Sequence, residues 1–206
     1  MNVKGKKLYL VTDYNMEFNK LLSKVEEALK GGVSIVQYRA KNKTTRKMCK
    51  EALLLKELSH KYKALFIVND RLDVALVVDA DGIHVGQDDM EVYKIKEILP
   101  KDKIIGVSVH DLEETRIAIE QGADYIGVGA LYNTNTKNNA KIVSLEMLKK
   151  IRKKSSIPIY GIGGLTVNNL TKTLRETLDG IAIVSEILLA KNATDKAKDL
   201  LNCMKN

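Results

Sequence analysis

Eight short apolar runs recur along the chain: KLYLVT (7–12), SIVQYR (34–39), LFIVN (65–69), GIHVG (82–86), IIGVSV (104–109), YIGVGA (125–130), IPIYGIG (157–163) and GIAIVS (180–185). Most are apolar without a break and rich in Val, Ile or Tyr. Strands buried on both faces read this way, and such strands belong to parallel sheets. Between them lie stretches with apolar residues at helical spacing. MEFNKLLSKVEEALKGG stops at Gly31-Gly32, and TTRKMCKEALLLKELSHKY starts from a Thr cap. RLDVALVV and EVYKIKEILP are shorter. DLEETRIAIEQGAD opens at Asp111 and closes at Gly122, SLEMLKKIRKK opens at Ser144, TVNNLTKTL opens at Thr166, and TDKAKDLLNCMK follows the eighth run. The mean repeat of roughly 25 residues suits a strand-plus-helix unit with short loops. Eight such units fit a closed barrel or an open doubly wound sheet. The count of eight and the similar run lengths predict an α/β fold, a single-domain (β/α)₈ TIM barrel over 1–206, with all strands parallel.

Composition narrows the function classes. The chain of 206 residues is at the short end for such a barrel, yet long enough to bury a core without disulfide or metal staples. The net charge is +8. The lysines of KELSHKYK and LKKIRKK fall on the polar faces of apolar-periodic helices, and no basic run is interleaved with aromatics. Nucleic-acid binding is therefore not expected, whereas an anionic small substrate is compatible with the charge. Cys49 and Cys203 lie far apart in helical patterns with no metal-ligand spacing, as reduced thiols do. The apolar stretch after Met1 spans about four residues, too few for a secretory signal, and nothing approaches a membrane span. A cytoplasmic location with no membrane partner is the expectation, and association into a homo-oligomer stays open.

In a parallel barrel the chemistry gathers where strands run into the loops that follow. Run two ends in Gln37-Tyr38-Arg39-Ala40-Lys41, run three in Asn69-Asp70, and run four in Gly86-Gln87-Asp88-Asp89. Run five carries Ser108 and His110, run six leads to Thr134-Asn135-Thr136-Lys137, run seven ends in Gly163-Gly164, and run eight in Val184-Ser185. Asp70 and Asp89 suit Mg²⁺, which takes a few oxygen ligands plus waters and substrate phosphates. Arg39, Lys41 and Lys137 could hold a diphosphate against that metal. Gly163-Gly164 ahead of Thr166, and Ser185 at a further helix start, suit a phosphate. Blander readings exist: Asp70 and Asp88 could be helix caps, GIGG a turn, His84 a packed wall residue and His60 a surface helix residue. The functional reading is preferred because all the candidates fall on one face with complementary charges.

These segments resemble the thiamine phosphate synthase family. The matching pieces are GGVSIVQYRAK, FIVND, DGIHVGQDD, IIGVSVH, ADYIGVGALYNTNTK, IPIYGIGG and GIAIVS, in order over nearly the whole chain, with FIVND followed by DGIHVGQDD the most specific pair. The resemblance implies that Gln37, Tyr38, Arg39, Ala40, Lys41, Asn69, Ser108 and Lys137 bind a pyrimidine diphosphate. Of these, Arg39, Lys41, Ser108 and Lys137 would be catalytic. Asp70 and Asp89, in preference to Asp88, would hold Mg²⁺. Thr134, Asn135, Thr136, Gly164, Val184 and Ser185 would bind a thiazole phosphate. The implied reaction condenses the two substrates to thiamine phosphate and releases diphosphate. The family's loop usually reads GPxxPTxTK; here Ala130 and Asn133 replace its prolines, which predicts a more mobile loop. A thiazole tautomerase is the nearest alternative, with His110 as its base, but it has no diphosphate to hold and no use for the paired acids. A sugar-phosphate isomerase would leave those acids beside Arg39 and Lys41 unexplained. A retired barrel acting in regulation would leave opposed buried charges without a purpose.

Overall fold

The computed structural model describes residues 2–134 and 141–205. Its strands are β1 (Leu8–Val11), β2 (Ile35–Tyr38), β3 (Leu65–Asn69), β4 (Gly82–Val85), β5 (Ile104–Val109), β6 (Tyr125–Val128), β7 (Ile159–Ile162) and β8 (Gly180–Ile183). Every strand pairs in parallel with its sequence neighbours, and β8 returns to β1, so the sheet closes as an eight-stranded barrel. The alternating pattern thus resolves in favour of the closed barrel over the open sheet. The helices are α1 (Phe18–Lys30), α2 (Thr45–Lys61), α3 (Leu72–Val77), α4 (Val92–Ile98), α5 (Leu112–Glu120), α6 (Leu145–Lys154), α7 (Lys172–Thr177), α8 (Ser185–Leu188) and α9 (Ala193–Cys203).

Local chemistry sets where the helices start. Thr44, Asp111 and Ser144 each accept a backbone N–H of the first turn through their side chains, as their positions ahead of apolar-periodic segments predict. Thr166 departs from expectation. Its N–H is taken by the Asn169 side chain at 2.8 Å in a turn, and α7 begins six residues later, capped by Thr171. Asn168-Asn169 offers the backbone a side-chain partner that competes with helix, and this tightens the turn at the expense of the predicted start.

Alternation along each strand divides the core in two. Leu8, Leu10, Val36, Tyr38, Phe66, Val68, Ile83 and Val85 face outward and pack under the helices in the main apolar cluster. Tyr9, Val11, Ile35, Ile67, Ile104, Tyr125, Tyr160 and Ala182 face inward and fill the cylinder. Three tyrosine rings dominate this interior, with centroids 5.5–6.0 Å apart. Glycines on neighbouring strands make room for them: a Cβ at Gly106 would run into the Tyr125 ring, and one at Gly180 would meet the Tyr160 ring. Tyr160 donates its hydroxyl proton at the base of the barrel, where the Val3 and Lys6 carbonyls lie 3.0 and 2.7 Å away.

A repeated device sets the strand entries at that base. Asp81, Asp124 and Asp179 each precede an even-numbered strand. Each accepts the N–H of the preceding odd strand, from Phe66 (2.7 Å), Ile105 (2.7 Å) and Ile159 (2.8 Å). Each also donates its own N–H to the carbonyl of that same residue. Ser34 occupies the equivalent place before β2 and donates both its N–H and its hydroxyl to the Leu8 carbonyl. Asp81 is buried and also meets His60 Nε2 at 2.9 Å, so His60 is more than a surface residue of α2.

Asp81→Ala is expected to cost about 2 kcal/mol, because it strands the buried Phe66 N–H, while Asp81→Asn keeps an acceptor and costs under about 1 kcal/mol. Urea unfolding midpoints of the two variants check the difference; equal losses would show that the acceptor is not what matters.

Candidate active site at the mouth of the barrel

The C-terminal ends of the strands open into a cavity of about 470 Å³. Strand alternation decides what reaches it. At the end of β2, Gln37, Arg39 and Lys41 line the cavity. Tyr38 and Ala40 between them face the helix layer, where the Tyr38 hydroxyl donates to Glu51 Oε2 at 2.6 Å. Of the QYRAK segment, therefore, alternate side chains meet the cavity, and Tyr38 and Ala40 present only backbone near it. Thr12 holds this segment from β1: its hydroxyl accepts the Arg39 N–H at 2.9 Å and donates to the Arg39 carbonyl at 3.3 Å.

Arg39 carries the most telling electrostatic feature. Its guanidinium lies 5.0 Å from the Tyr14 ring centroid, and its Nη1 is buried with no hydrogen-bond partner among the described residues. A desolvated, unpaired guanidinium nitrogen is costly, and an anion in the cavity would relieve that cost. Lys41 Nζ lies 2.8 Å from Asp70 Oδ2.

Asp70 has a left-handed backbone (φ 60°), which Asp tolerates better than most residues, and its N–H donates to the His84 carbonyl. That conformation turns the chain into the cavity. The side chain does not cap α3, whose N-cap is Arg71, and Asp88 does not cap α4, whose N-cap is Glu91. Asp89 folds back so that its Oδ2 accepts the Gly86 N–H at 2.7 Å. Burial, then the adjoining Asp70 carboxylate, raises the Asp89 carboxyl above its usual range, while the Gly86 N–H and Lys41 oppose the shift. Two carboxylates pressed together on the wall of a half-open cavity make a hard oxygen donor set. No group of three or more metal-ligating side chains occurs among the described residues. A pair fits an ion that takes one or two carboxylates and completes its shell with water and phosphate, as Mg²⁺ does.

Beside the acid pair, Asn69 ends β3, and Ser108 lies inward on β5. His84, left as a packed wall residue by the sequence pattern, does point inward and is buried, yet it also lines the cavity and hydrogen-bonds Ser108. Burial lowers its pKa to about 4, so the imidazole is neutral. His110 pairs with Glu114 Oε2 through Nδ1 at 2.8 Å. Gln87 donates to the Ser108 carbonyl at 2.6 Å, which ties the β4 loop to β5.

The opposite rim is built from glycine and a short helix. Gly163 and Gly164 both have positive φ (92° and 64°). A Cβ on Gly164 would lie 2.5 Å from the Asn133 carbonyl oxygen, so the β7 loop can approach the β6 loop backbone only with glycine there. Val184 precedes α8 with no side-chain cap, and Ser185 begins it. Thr134, Gly164, Val184 and Ser185 all line the cavity. Asn135, Thr136 and Lys137 lie outside the described residues. Ala130, where the family motif has proline, donates its N–H to the Lys141 carbonyl at 3.1 Å, a bond proline lacks.

The structure thus brings together Gln37, Arg39, Lys41, Asn69, Asp70, Asp89 and Ser108 on one side, and Thr134, Gly164, Val184 and Ser185 on the other. Residue-type reasoning at the strand ends overlooked Thr12 and Tyr14 on β1 and its loop, and Tyr9 and Tyr125 deeper in the cylinder. Strand parity was the available signal for the last two, since each sits two residues from another inward position.

Residues 8–187 match the family model described as thiamine monophosphate synthase. A thiamine-phosphate synthase of Clostridium perfringens is 58% identical over 199 residues, covering 97% of this chain and 96% of that one. One from Clostridium acetobutylicum is 48% identical, covering 97% and 95%. The solved thiamine phosphate pyrophosphorylase of Pyrococcus furiosus is 39% identical and superposes with a TM-score of 0.87 over 97% of this chain and 96% of that one. A 3-hexulose-6-phosphate synthase at 15% identity and a TM-score of 0.71 shares the fold alone. By sequence over nearly its full length, and by the barrel that the sequence builds, the chain belongs to the thiamine monophosphate synthase family.

Proposed function

We propose that the chain is a transferase of thiamine biosynthesis. It condenses 4-amino-2-methyl-5-(diphosphooxymethyl)pyrimidine with a (carboxy)thiazole ethyl phosphate, giving thiamine phosphate and diphosphate, and CO₂ as well where the thiazole is carboxylated. The observation that carries this reading is the buried Arg39 Nη1, without a partner among the described residues, in the same cavity as Lys41, Asp70 and Asp89. A polyanion supplies what Arg39 lacks, and the paired acids need a cation that such an anion brings with it.

The displacement is dissociative: the C–O bond at the pyrimidinylmethyl carbon breaks first, its electron pair leaves with diphosphate, and the lone pair of the thiazole nitrogen then forms the C–N bond to the cation-like carbon. The amino group on the pyrimidine delocalises the developing carbocation, so the protein needs no nucleophile of its own. Asp70 and Asp89 would hold Mg²⁺, which when bound supplies positive charge to the departing diphosphate. Arg39 and Lys41 stabilise the same growing charge, and Lys137 is assigned the same task. Gln37, Asn69 and Ser108 orient the pyrimidine-bearing substrate. Gly164, Val184 and Ser185, together with Thr134, Asn135 and Thr136, hold the thiazole phosphate in line for attack. A tautomerase would leave the acid pair and Arg39 without a task, and the relatives compared above bear the synthase name. We place the reaction in the cytoplasm; among the described residues no helix is long and apolar enough to cross a membrane.

Mixing the protein with both substrates and Mg²⁺ should release diphosphate in step with thiamine phosphate; no release would sink the reading. Asp70→Ala should lower kcat/KM at low Mg²⁺ by about 100-fold or more, the scale of losing a charged partner at a reacting group, and near-normal turnover would exclude Asp70 as a ligand. A second test needs no substrate. The raised Asp89 carboxyl means that stability without divalent cations is lost as pH rises through its folded-state value. Asp89→Asn should therefore melt above the parent at pH 8 without divalent cations, by a margin that shrinks as pH falls and reverses when Mg²⁺ is added. Scanning calorimetry checks this, and a variant that melts below the cation-free parent at pH 8 contradicts it.

A further inference from the structure

A single hydrogen-bonded file crosses the barrel interior between two walls of the cavity. Gln37 Nε2 donates to Tyr9 Oη at 2.7 Å, Tyr9 Oη lies 2.8 Å from Tyr125 Oη, Tyr125 Oη lies 3.0 Å from His84 Nδ1, and His84 Nε2 lies 2.9 Å from Ser108 Oγ. Both tyrosines are fully buried, at 1% and 0% exposure, so water does not supply alternative partners. Each phenol has one proton to give, and a neutral imidazole has one N–H. With the Gln37 amide N–H on Tyr9 Oη, the file has a direction. Tyr9 accepts from Gln37 and must donate to Tyr125. Tyr125 must then donate to His84 Nδ1. The histidine proton is left on Nε2, where it donates to Ser108 Oγ. Ser108 has its acceptor side occupied, and its own proton is the group left to face the cavity. Tyr160, the third ring of the cluster, donates to the Val3 and Lys6 carbonyls and stands outside the file.

We infer that the interior file Gln37–Tyr9–Tyr125–His84 holds Ser108 as a hydrogen-bond donor aimed at the diphosphate, which makes His84 and Tyr125 positioning residues for the transfer. A reversed file would put the histidine proton on Nδ1, turn Ser108 inward as the donor to Nε2, and present a lone pair to an anion. The forward direction is the one an anion rewards, because a hydroxyl O–H on a phosphate oxygen is charge-assisted. The file also ties the two walls together: the amide of Gln37 cannot turn over without reversing every bond up to Ser108. This inference rests on the cavity being the diphosphate site proposed above.

The first measurement is the tautomer of His84 in the unliganded protein, read from ¹⁵N-labelled imidazole correlations and assigned by loss of the signal in His84→Gln. The Nε2–H form is expected, and the Nδ1–H form overturns the inference. The second is steady-state diphosphate release. Ser108→Ala should lower kcat about ten-fold and Tyr125→Phe about five-fold, with the KM of the thiazole phosphate unchanged. If Tyr125 acts through Ser108, the double variant is no worse than Ser108→Ala alone; a loss of about fifty-fold, the product of the two, overturns the link. His84→Gln retains an amide donor for Ser108 and should restore part of the kcat lost in His84→Leu, whereas equal losses count against the file. Should the buried variants fail to fold, the tautomer of the unaltered protein still decides. An unaltered protein that releases no diphosphate refutes the proposed function, while the tautomer separately tests the direction of the file.

Discussion

Closing eight parallel strands into a cylinder leaves each strand residue two destinations, the lumen or the helix layer. Almost everything else in this protein follows from that restriction. It sends Leu8 and Leu10 under the helices and Tyr9 and Val11 into the lumen. It also sets the rhythm of the site, because Gln37, Arg39 and Lys41 meet the cavity while Tyr38 and Ala40 do not. A slip of one residue in β2 would exchange these sets and bury Arg39 among leucines. The apolar outer positions of β2 therefore protect the register of the polar inner ones.

The lumen is polar in depth as well as at its mouth. Three tyrosines from β1, β6 and β7 need more room than eight strands of ordinary residues leave, and Gly106 and Gly180 provide it. Their hydroxyls then need partners that the apolar wall lacks. Tyr160 finds backbone carbonyls at the base, while Tyr9 and Tyr125 find each other and continue to Gln37 and His84. A buried polar group is tolerable when every member of its network is satisfied. Here satisfaction couples the buried tyrosines of the lumen to Gln37 and Ser108, which line the cavity.

The mouth obeys the opposite rule. Arg39 keeps a buried nitrogen unpaired among the described residues, and burial, then the adjoining Asp70, makes the Asp89 carboxyl hold its proton more tightly than usual. Each arrangement costs stability in the isolated chain. An enzyme that binds a polyanion with its cation recovers that cost at the moment of binding, which is where strain of this kind tends to persist. The base of the barrel, where Asp81, Asp124 and Asp179 satisfy the strand entries, has no such tension. Stability and chemistry are held at opposite ends of the same strands.

The succession of elements was legible from sequence because burial on both faces makes a strand read as an unbroken apolar run, and helix caps such as Asp111 and Ser144 act over a few bonds. The strand-end candidates were legible for a related reason: a charged residue closing an apolar run has no local explanation. Thr166 was misjudged because Asn169 captures its N–H in a tight turn, a local competition that periodicity does not register. Only the tertiary structure could decide that Asp89 lies against Asp70 and that Tyr9 and Tyr125, 116 residues apart, share a hydrogen bond. It alone could decide, too, that His84 joins Ser108. Sequence spacing carries the face on which a side chain emerges. Closure of the barrel determines which faces meet, since that depends on how eight strands tilt and register around a common axis.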